Sequence, residues 1–352
     1  MTESSMCATT VDLLLVVGNS RSGTSVLARS LGLHEELVDL GETHFVEELL
    51  PAADPNEPIA GADATRFSKS LQDRLAHGLF GQREGDVRVG FPIPTGSSHP
   101  VDLLLDVAEF QTEERPSAFI EQTPGHLYHG GALLEGSTRT SVVVIVRDPR
   151  AVVFSNCNRW RAAIRWARTP RAALEVVRSW GQGHPLLQAL LWRRGIRRSL
   201  ELEAAFPERV IRISYEDLVS EPESTLRLVS SSLGLPFQEV MLAVDVQGSS
   251  SSRNEPSAEG FQERSSTPPQ LRLNDGGHRL VEQICRSEMA ALGYATTGRG
   301  NALSAIVQCL TVPKVAIGVL VSFSRLGSLV AVVGKLFAEK ATSPTAEINS
   351  NA

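Results

Sequence analysis

Unbroken apolar runs alternate along this chain with stretches whose apolar residues recur every three or four positions. Residues 12–17 form a short, nearly continuous apolar run closed by Gly18, the pattern of a strand buried on both faces. "SVVVIVRDP" (141–149) repeats it, β-branched and stopped by a proline. "SAFIEQTP" (117–124) and "ERVIRISYEDL" (208–218) are two further strand candidates. Helical periodicity predicts helices over 24–33, 150–166, 171–180, 185–205 and 276–294, and in "FSKSLQDRLAHGLF" (67–80) and "PESTLRLVSSSLGL" (222–235). "LVDLGETHFVEELL" (37–50) reads as a short link into a helix. Residues 51–66 and 81–99 read as loops, and 247–269, rich in Ser and Pro, as a mobile or ligand-ordered segment. Strands alternating with helices predict an α/β fold on a parallel sheet, whose ligands bind beyond the carboxyl ends of the strands.

The charge distribution sharpens this picture. The net charge of −6 gives no sign of general nucleic-acid binding. Yet between Arg147 and Arg212 fourteen arginines face five acids, a local positive potential suited to an anionic ligand. Lysine occurs only at positions 69, 314, 335 and 340, so a mechanism needing one has little choice. The four cysteines are scattered and form neither metal-ligand pairs nor a disulfide framework, which fits a reducing compartment, and no metal is expected. "MTESSMCATT" lacks the basic and apolar regions of a signal peptide, so a cytoplasmic location is expected. Residues 302–337 are apolar and small. The 23 residues from 315 to 337 have a spanning length, but Arg325 lies mid-segment and polar residues gather on one side. Peripheral membrane contact through an interfacial helix, packing on the domain and a membrane span all stay open.

The first strand leads into "GNSRSGTS" (18–25). Gly18, Gly23, Thr24 and Ser25 have the spacing of a phosphate-binding loop, but Thr24 stands where that loop has its lysine. A glycine turn opening a helix still offers backbone N–H groups and a helix dipole to an anion, and Ser22, Thr24 and Ser25 add hydroxyls. Without the lysine, a magnesium-bound triphosphate fits poorly, although a P-loop kinase or NTPase stays open.

"RSGTS" after an apolar strand resembles the 5′-phosphosulfate loop of sulfotransferases that use 3′-phosphoadenosine 5′-phosphosulfate (PAPS). A second motif, "VVVIVRDPRAVVFS", strengthens the resemblance: Arg147 ends a strand and Ser155 follows eight residues later. A third, "VIRISYEDLVSEPESTLRLVSSSLGLPF" (210–237), is similar to a structural segment of that superfamily, in which Tyr215 and Glu216 brace the sheet. In motif spacing the chain is nearest to tyrosylprotein and bacterial sulfotransferases. The resemblance covers roughly residues 11–295. It implies a three-layer, P-loop-like parallel sheet flanked by helices. The expected organisation is a domain at 11–295, an apolar helical extension at 296–339 and a disordered tail at 340–352.

The resemblance also implies roles. Arg21, Ser22, Gly23, Thr24 and Ser25 would hold the 5′-phosphosulfate of PAPS, and Arg147 and Ser155 its 3′-phosphate, with Arg253 as a further ligand from the Ser-rich loop. Arg150 is read as facing solvent or an acid. Glu42, in "LGETHF" and twenty-one residues after Arg21, resembles the Gly-Glu segment that supplies the base in tyrosylprotein sulfotransferases, and His126 is a second base candidate, since several sulfotransferase groups use histidine. Many relatives carry a lysine near "EQTP" that assists the leaving group. This chain has Gln122, which can hydrogen-bond but offers no charge, so a nucleotide-binding relative without activity stays open, or Arg21 carries the electrostatic load. The expected acceptor is a small molecule, carbohydrate, lipid or peptide offering a hydroxyl or amine.

Overall fold

The computed structural model describes residues 11–49, 54–76, 91–92, 96–112, 116–246, 258–261 and 273–316. The first half runs β1 (Leu13–Gly18), α1 (Thr24–Leu31), β2 (Leu37–Asp39), α2 (Phe45–Leu49), α3 (Gly61–Ala76), α4 (Pro100–Gln111), β3 (Ala118–Glu121), α5 (Gly130–Gly136) and β4 (Thr140–Val146). The second half runs α6 (Pro149–Ala163), α7 (Pro170–Gln182), α8 (Pro185–Ala205), β5 (Val210–Ser214), α9 (Tyr215–Ser220), α10 (Pro222–Ser232), β6 (Asp245–Val246), β7 (Ala258–Glu259), α11 (Asp275–Ile284), α12 (Arg286–Ala291) and α13 (Ala302–Cys309).

The main sheet is parallel throughout, with strand order β2–β3–β1–β4–β5. β1 is its centre, paired from Leu13 to Gly18 with Thr140 to Ile145 of β4. Both faces are covered, which is why β1 reads as a continuous apolar run. Leu13, Leu15 and Val17 point into one core with Phe45, Val101, Trp192 and Val281; Leu14 and Val16 point into the other with Leu27, Leu31, Leu226 and Met241. After β1 the chain moves outward to β2, and after β4 it turns the opposite way to β5. The loops following β1 and β4 therefore diverge over a crevice, the place where open α/β sheets bind ligands.

Several expectations change. The link predicted at 37–44 contains an edge strand, β2, of only three residues. Helix α3 begins at Gly61, inside the span read as a loop; Ala64, Phe67, Ser68 and Leu71 form its buried face at helical spacing. Helix α4, which pattern reading left unassigned, starts at a proline behind His99, whose Nδ1 accepts from Val101 N–H. The strand read over 208–218 ends at Ser214, because the Ser214 hydroxyl accepts from Asp217 N–H at 2.9 Å and caps α9. The single helix expected over 276–294 is broken at buried Cys285 into α11 and α12.

Part of the expected C-terminal extension packs on the domain. Gly276 of α11 lets the Ser304 carbonyl of α13 approach to 2.3 Å from where a Cβ would stand. Lys314 Nζ donates to the Gly183 carbonyl at 2.9 Å, and His184 Nε2 lies 3.0 Å from Thr311 Oγ1. Leu303, Ile306, Val307 and Leu310 stay exposed. Most of 315–337, the tail at 340–352 and Arg253 lie outside the described residues. No helix among the described residues is long and apolar enough to cross a membrane.

Candidate functional site

The turn between β1 and α1 is made by close approach. A Cβ at Gly18 would stand 2.4 Å from the Ile145 carbonyl, and one at Gly23 would stand 2.4 Å from the Tyr215 ring. Gly23 also has φ 107°, a conformation that favours glycine, and no side chain caps α1 behind it. Arg21, in the same turn, has φ 75°. A side chain in that region is strained by about 1–3 kcal/mol and persists only where its surroundings hold it. Here the hold is visible: Arg21 Nε donates to Ser155 Oγ at 3.0 Å, and Arg147 Nη1 donates to the Arg21 carbonyl at 3.1 Å. Residues 126 and 134 positions apart in sequence thus close on one turn. Asn156 Nδ2 adds a bond to the Ser20 carbonyl, and Asn19 Nδ2 one to the Trp192 carbonyl.

Arg147 itself rests on an aromatic floor. Its guanidinium carbon is 3.8 Å from the Tyr215 ring centroid, and its own carbonyl accepts from Trp192 Nε1 at 3.0 Å. Among the described residues, none of Arg21, Arg147 and Arg159 forms an ion pair with a carboxylate. Burial and the like charges of Arg159 and Arg147 push the Arg21 guanidinium below its ordinary value, while Glu42 opposes the shift. Ser22 Oγ and Arg147 Nε are buried without hydrogen-bond partners. Crowded cations and orphaned donors together make a cradle whose charge suits an anion. Thr24 is buried at the start of α1 and Ser25 half-buried beside it.

Three residues beyond Arg147, Arg150 has the opposite environment. It is buried, with Nη2 2.6 Å from Asp148 Oδ2, and Nη1 2.9 Å from Glu282 Oε1 and 3.0 Å from the Ala295 carbonyl. Of the two expected environments, solvent or an acid, it takes the acid. Glu216 braces the same turn, accepting from Asp148 N–H at 3.0 Å and from the Tyr294 hydroxyl at 2.9 Å.

The 40–44 loop and the start of α2 are laid against the end of β3. Gln122 N–H donates to the Gly41 carbonyl at 3.0 Å, bringing Glu42 and Gln122 together. Gln122 Oε1 is buried without a partner. Glu42 is 41% exposed and close enough to Arg21 to favour its charge. His126 is elsewhere: fully buried, edge-on to the Phe45 ring with centroids 4.6 Å apart, its Nδ1 2.7 Å from Glu121 Oε2. Its Nε2 faces Val46 N–H at 3.4 Å and Glu47 Oε2 at 3.7 Å. Burial alone would lower His126, but the two carboxylates outweigh burial and the long amide contact and raise it to about 9. The structure therefore gives His126 a place in the core beneath the loop and not on its surface.

The sequence motifs thus meet where the sheet topology predicts. Two participants were not legible as site residues. Tyr215, expected to brace the sheet, is the surface beneath Arg147 and stands where a Cβ at position 23 would fall. Arg159 follows Ser155 by one helical turn of α6, a spacing that could have marked it. Among the described residues no group of three or more His, Cys, Asp or Glu side chains is arranged to hold a metal.

The sulfotransferase domain from the curacin biosynthetic pathway resembles the chain at 16% identity, over 81% of this chain and 98% of that one, with a TM-score of 0.46. A Mycobacterium avium sulfotransferase does so at 17% identity over 82% and 79%, with a TM-score of 0.45. A sulfotransferase from Alicyclobacillus acidocaldarius gives 14% over 80% and 96%, with a TM-score of 0.43. No curated protein matches the chain. The model of the sulfotransferase family matches residues 14–239, a stretch that begins in β1 and passes through both arginine turns and α10; the chain belongs to the sulfotransferase family.

Proposed function

We propose that this protein transfers the sulfuryl group of PAPS to a hydroxyl or amine acceptor. The observation that carries the reading is the closure of the β1 and β4 turns on each other through Arg21, Ser155 and Arg147, which gathers two guanidinium groups that, among the described residues, have no carboxylate partner, with the orphaned donors Ser22 Oγ and Arg147 Nε beside them. A nucleotide with an anionic group at each end matches that demand better than a triphosphate, whose lysine partner has no counterpart in the loop, where Thr24 takes its position.

The backbone turn at 18–25, with Arg21 and the hydroxyls of Ser22, Thr24 and Ser25, would receive the 5′-phosphosulfate. Arg147, Ser155 and Arg159 would clamp the 3′-phosphate, where a planar guanidinium can bond two oxygens at once. When bound, the nucleotide supplies a sulfuryl group on a good leaving group. The protein's part is to hold the acceptor in line, accept its proton and stabilise negative charge on the leaving oxygen. Glu42, partly exposed beside Arg21, is the carboxylate placed to take the proton. His126, buried and bonded to Glu121, supports the loop instead. With Gln122 neutral, the leaving oxygen depends on Arg21 for charge.

Titration with 3′-phosphoadenosine 5′-phosphate and, separately, with ATP and magnesium tests the donor. Tight metal-independent binding of the first, with weak binding of the second, is expected; the reverse order would overturn the reading. Glu42→Ala should abolish transfer of labelled sulfate from PAPS while nucleotide affinity stays near that of the parent, and unchanged turnover would remove Glu42 as the base.

A further inference from the structure

Five ionisable side chains on the acidic wall form one line from the core to Glu42. Its inner end is Glu121, fully buried, whose Oε1 accepts from Thr43 N–H at 3.0 Å and the Thr43 hydroxyl at 2.8 Å, and whose Oε2 meets His126 Nδ1 at 2.7 Å. His126 Nε2 faces Glu47 Oε2 at 3.7 Å. The same Glu47 oxygen is 3.2 Å from His44 Nδ1, and His44 Nε2 is 3.5 Å from Glu42 Oε2. Carboxylate and imidazole alternate along the whole line. Gly125 makes room for it, since a Cβ there would stand 2.8 Å from Glu47 Oε1.

The backbone repeats the message. Among the described residues only Arg21 and His44 are non-glycine residues with positive φ, 75° and 53°. Both strained positions neighbour Glu42, Arg21 through charge and His44 at 3.5 Å. An ion pair as exposed as that of His44 and Glu42 adds little stability. Left-handed backbone at a side-chain-bearing residue is unfavourable. His44 is held there by its backbone N–H, which donates to Thr123 Oγ1 at 3.1 Å, and by the two carboxylates that flank its ring.

We propose that His44 is a positioning residue: as an imidazolium clamped between Glu47 and Glu42, it holds the Glu42 carboxylate toward Arg21, and the buried Glu121–His126 pair fixes the clamp to the sheet. The inference rests on the reading of Glu42 as the base. His44 faces Glu42 and Glu47, Glu42 also faces Arg21, and Glu47 also faces His126. The contacts to Glu42 and Glu47 raise His44 to about 10, so the imidazolium is the form present at neutral pH. Burial alone would raise Glu47, but His126 and His44 outweigh it and hold the carboxylate well below its usual range.

The test is an NMR titration of the His44 ring in the full-length protein, beside kinetics of PAPS-dependent transfer to an acceptor drawn from a panel of phenols and amines. His44 should titrate near pH 10 and fall by a unit or more in Glu47→Gln. The alkaline loss of kcat should move to lower pH in that variant, because removing a carboxylate disfavours the imidazolium. At neutral pH kcat should drop about tenfold or more with the KM for PAPS unchanged. His44→Gln should reproduce that drop, and His44→Lys, which keeps a cation, should recover part of it. A His44 ring titrating at its ordinary value in the parent, or a Glu47→Gln variant with parental kcat and pH profile, would overturn the clamp. Glu42→Gln separates the two ideas: lost turnover there with unaffected Glu47→Gln sinks only the clamp, and retained turnover in Glu42→Gln sinks the base reading.

Discussion

Arg147 and Arg150 leave the same strand end three residues apart and finish in opposite electrostatic states. Arg150 is saturated by Asp148, Glu282 and a carbonyl. Arg147 has one bond to the Arg21 carbonyl, an aromatic face and a buried Nε with no partner. Buried charge is tolerated when paired, so Arg150 is explained by the protein alone. Arg147 is not: like its neighbour Arg21 it has no ion pair with a carboxylate among the described residues, and that leaves it suited to an anionic ligand. An arginine's identity therefore says little about its role; what matters is whether the fold already supplies its counter-charge.

Removing each arginine in turn sharpens that contrast. Arg150→Ala leaves Asp148 and Glu282 buried without their cation and should cost about 3–5 kcal/mol of stability, read by chemical denaturation. The folded fraction should still bind 3′-phosphoadenosine 5′-phosphate. Arg147→Ala should do the reverse. Its nucleotide affinity, measured calorimetrically, should fall about 100-fold with little change in the denaturation midpoint. Equal effects of the two substitutions on both properties would break the comparison.

The paired acidic wall makes a pH prediction. His126 is raised from 6.5 in the unfolded chain to about 9 in the fold. Its imidazolium contributes stability that is fully present below about pH 6.5 and is lost as pH climbs through about 9. Denaturation midpoints should therefore decline across that window, with a slope of at most about 1.4 kcal/mol per pH unit, and His126→Asn should flatten the decline. The smallest expected effect is at the aromatic floor. Tyr215→Leu should weaken nucleotide binding about fivefold, the size of a partly desolvated cation–π contact, whereas Tyr215→Phe should leave it unchanged.

The site was legible in the sequence to the extent that it is local. Glycine spacing after an apolar run marked the β1 turn, and the strand-end arginine with a serine on the helix that follows matched the family's second motif at the β4 turn. The central strands were legible because burial on both faces leaves an unbroken apolar run. β2 was not, because a three-residue edge strand with only Leu37 fully buried carries no such signal. Helix α3 was shortened in the reading because its first turn, Gly-Ala-Asp-Ala, has loop composition, and its buried face becomes evident only with Phe67 and Leu71 in place.

Hydrophobic period alone carries the parallel α/β architecture, and short-range glycine spacing carries the β1 turn; the pairing of Arg147 with Ser155 was implied by the family resemblance. Only the tertiary structure decided which charges are paired. Arg150 finds Glu282 across 132 positions, Arg147 finds the Tyr215 ring, and His126 is drawn into the core by Glu121 and Glu47. Pairing depends on distance and burial, neither of which is local in sequence. The difference between a structural arginine and a ligand-binding one therefore emerges only when the strands are set side by side.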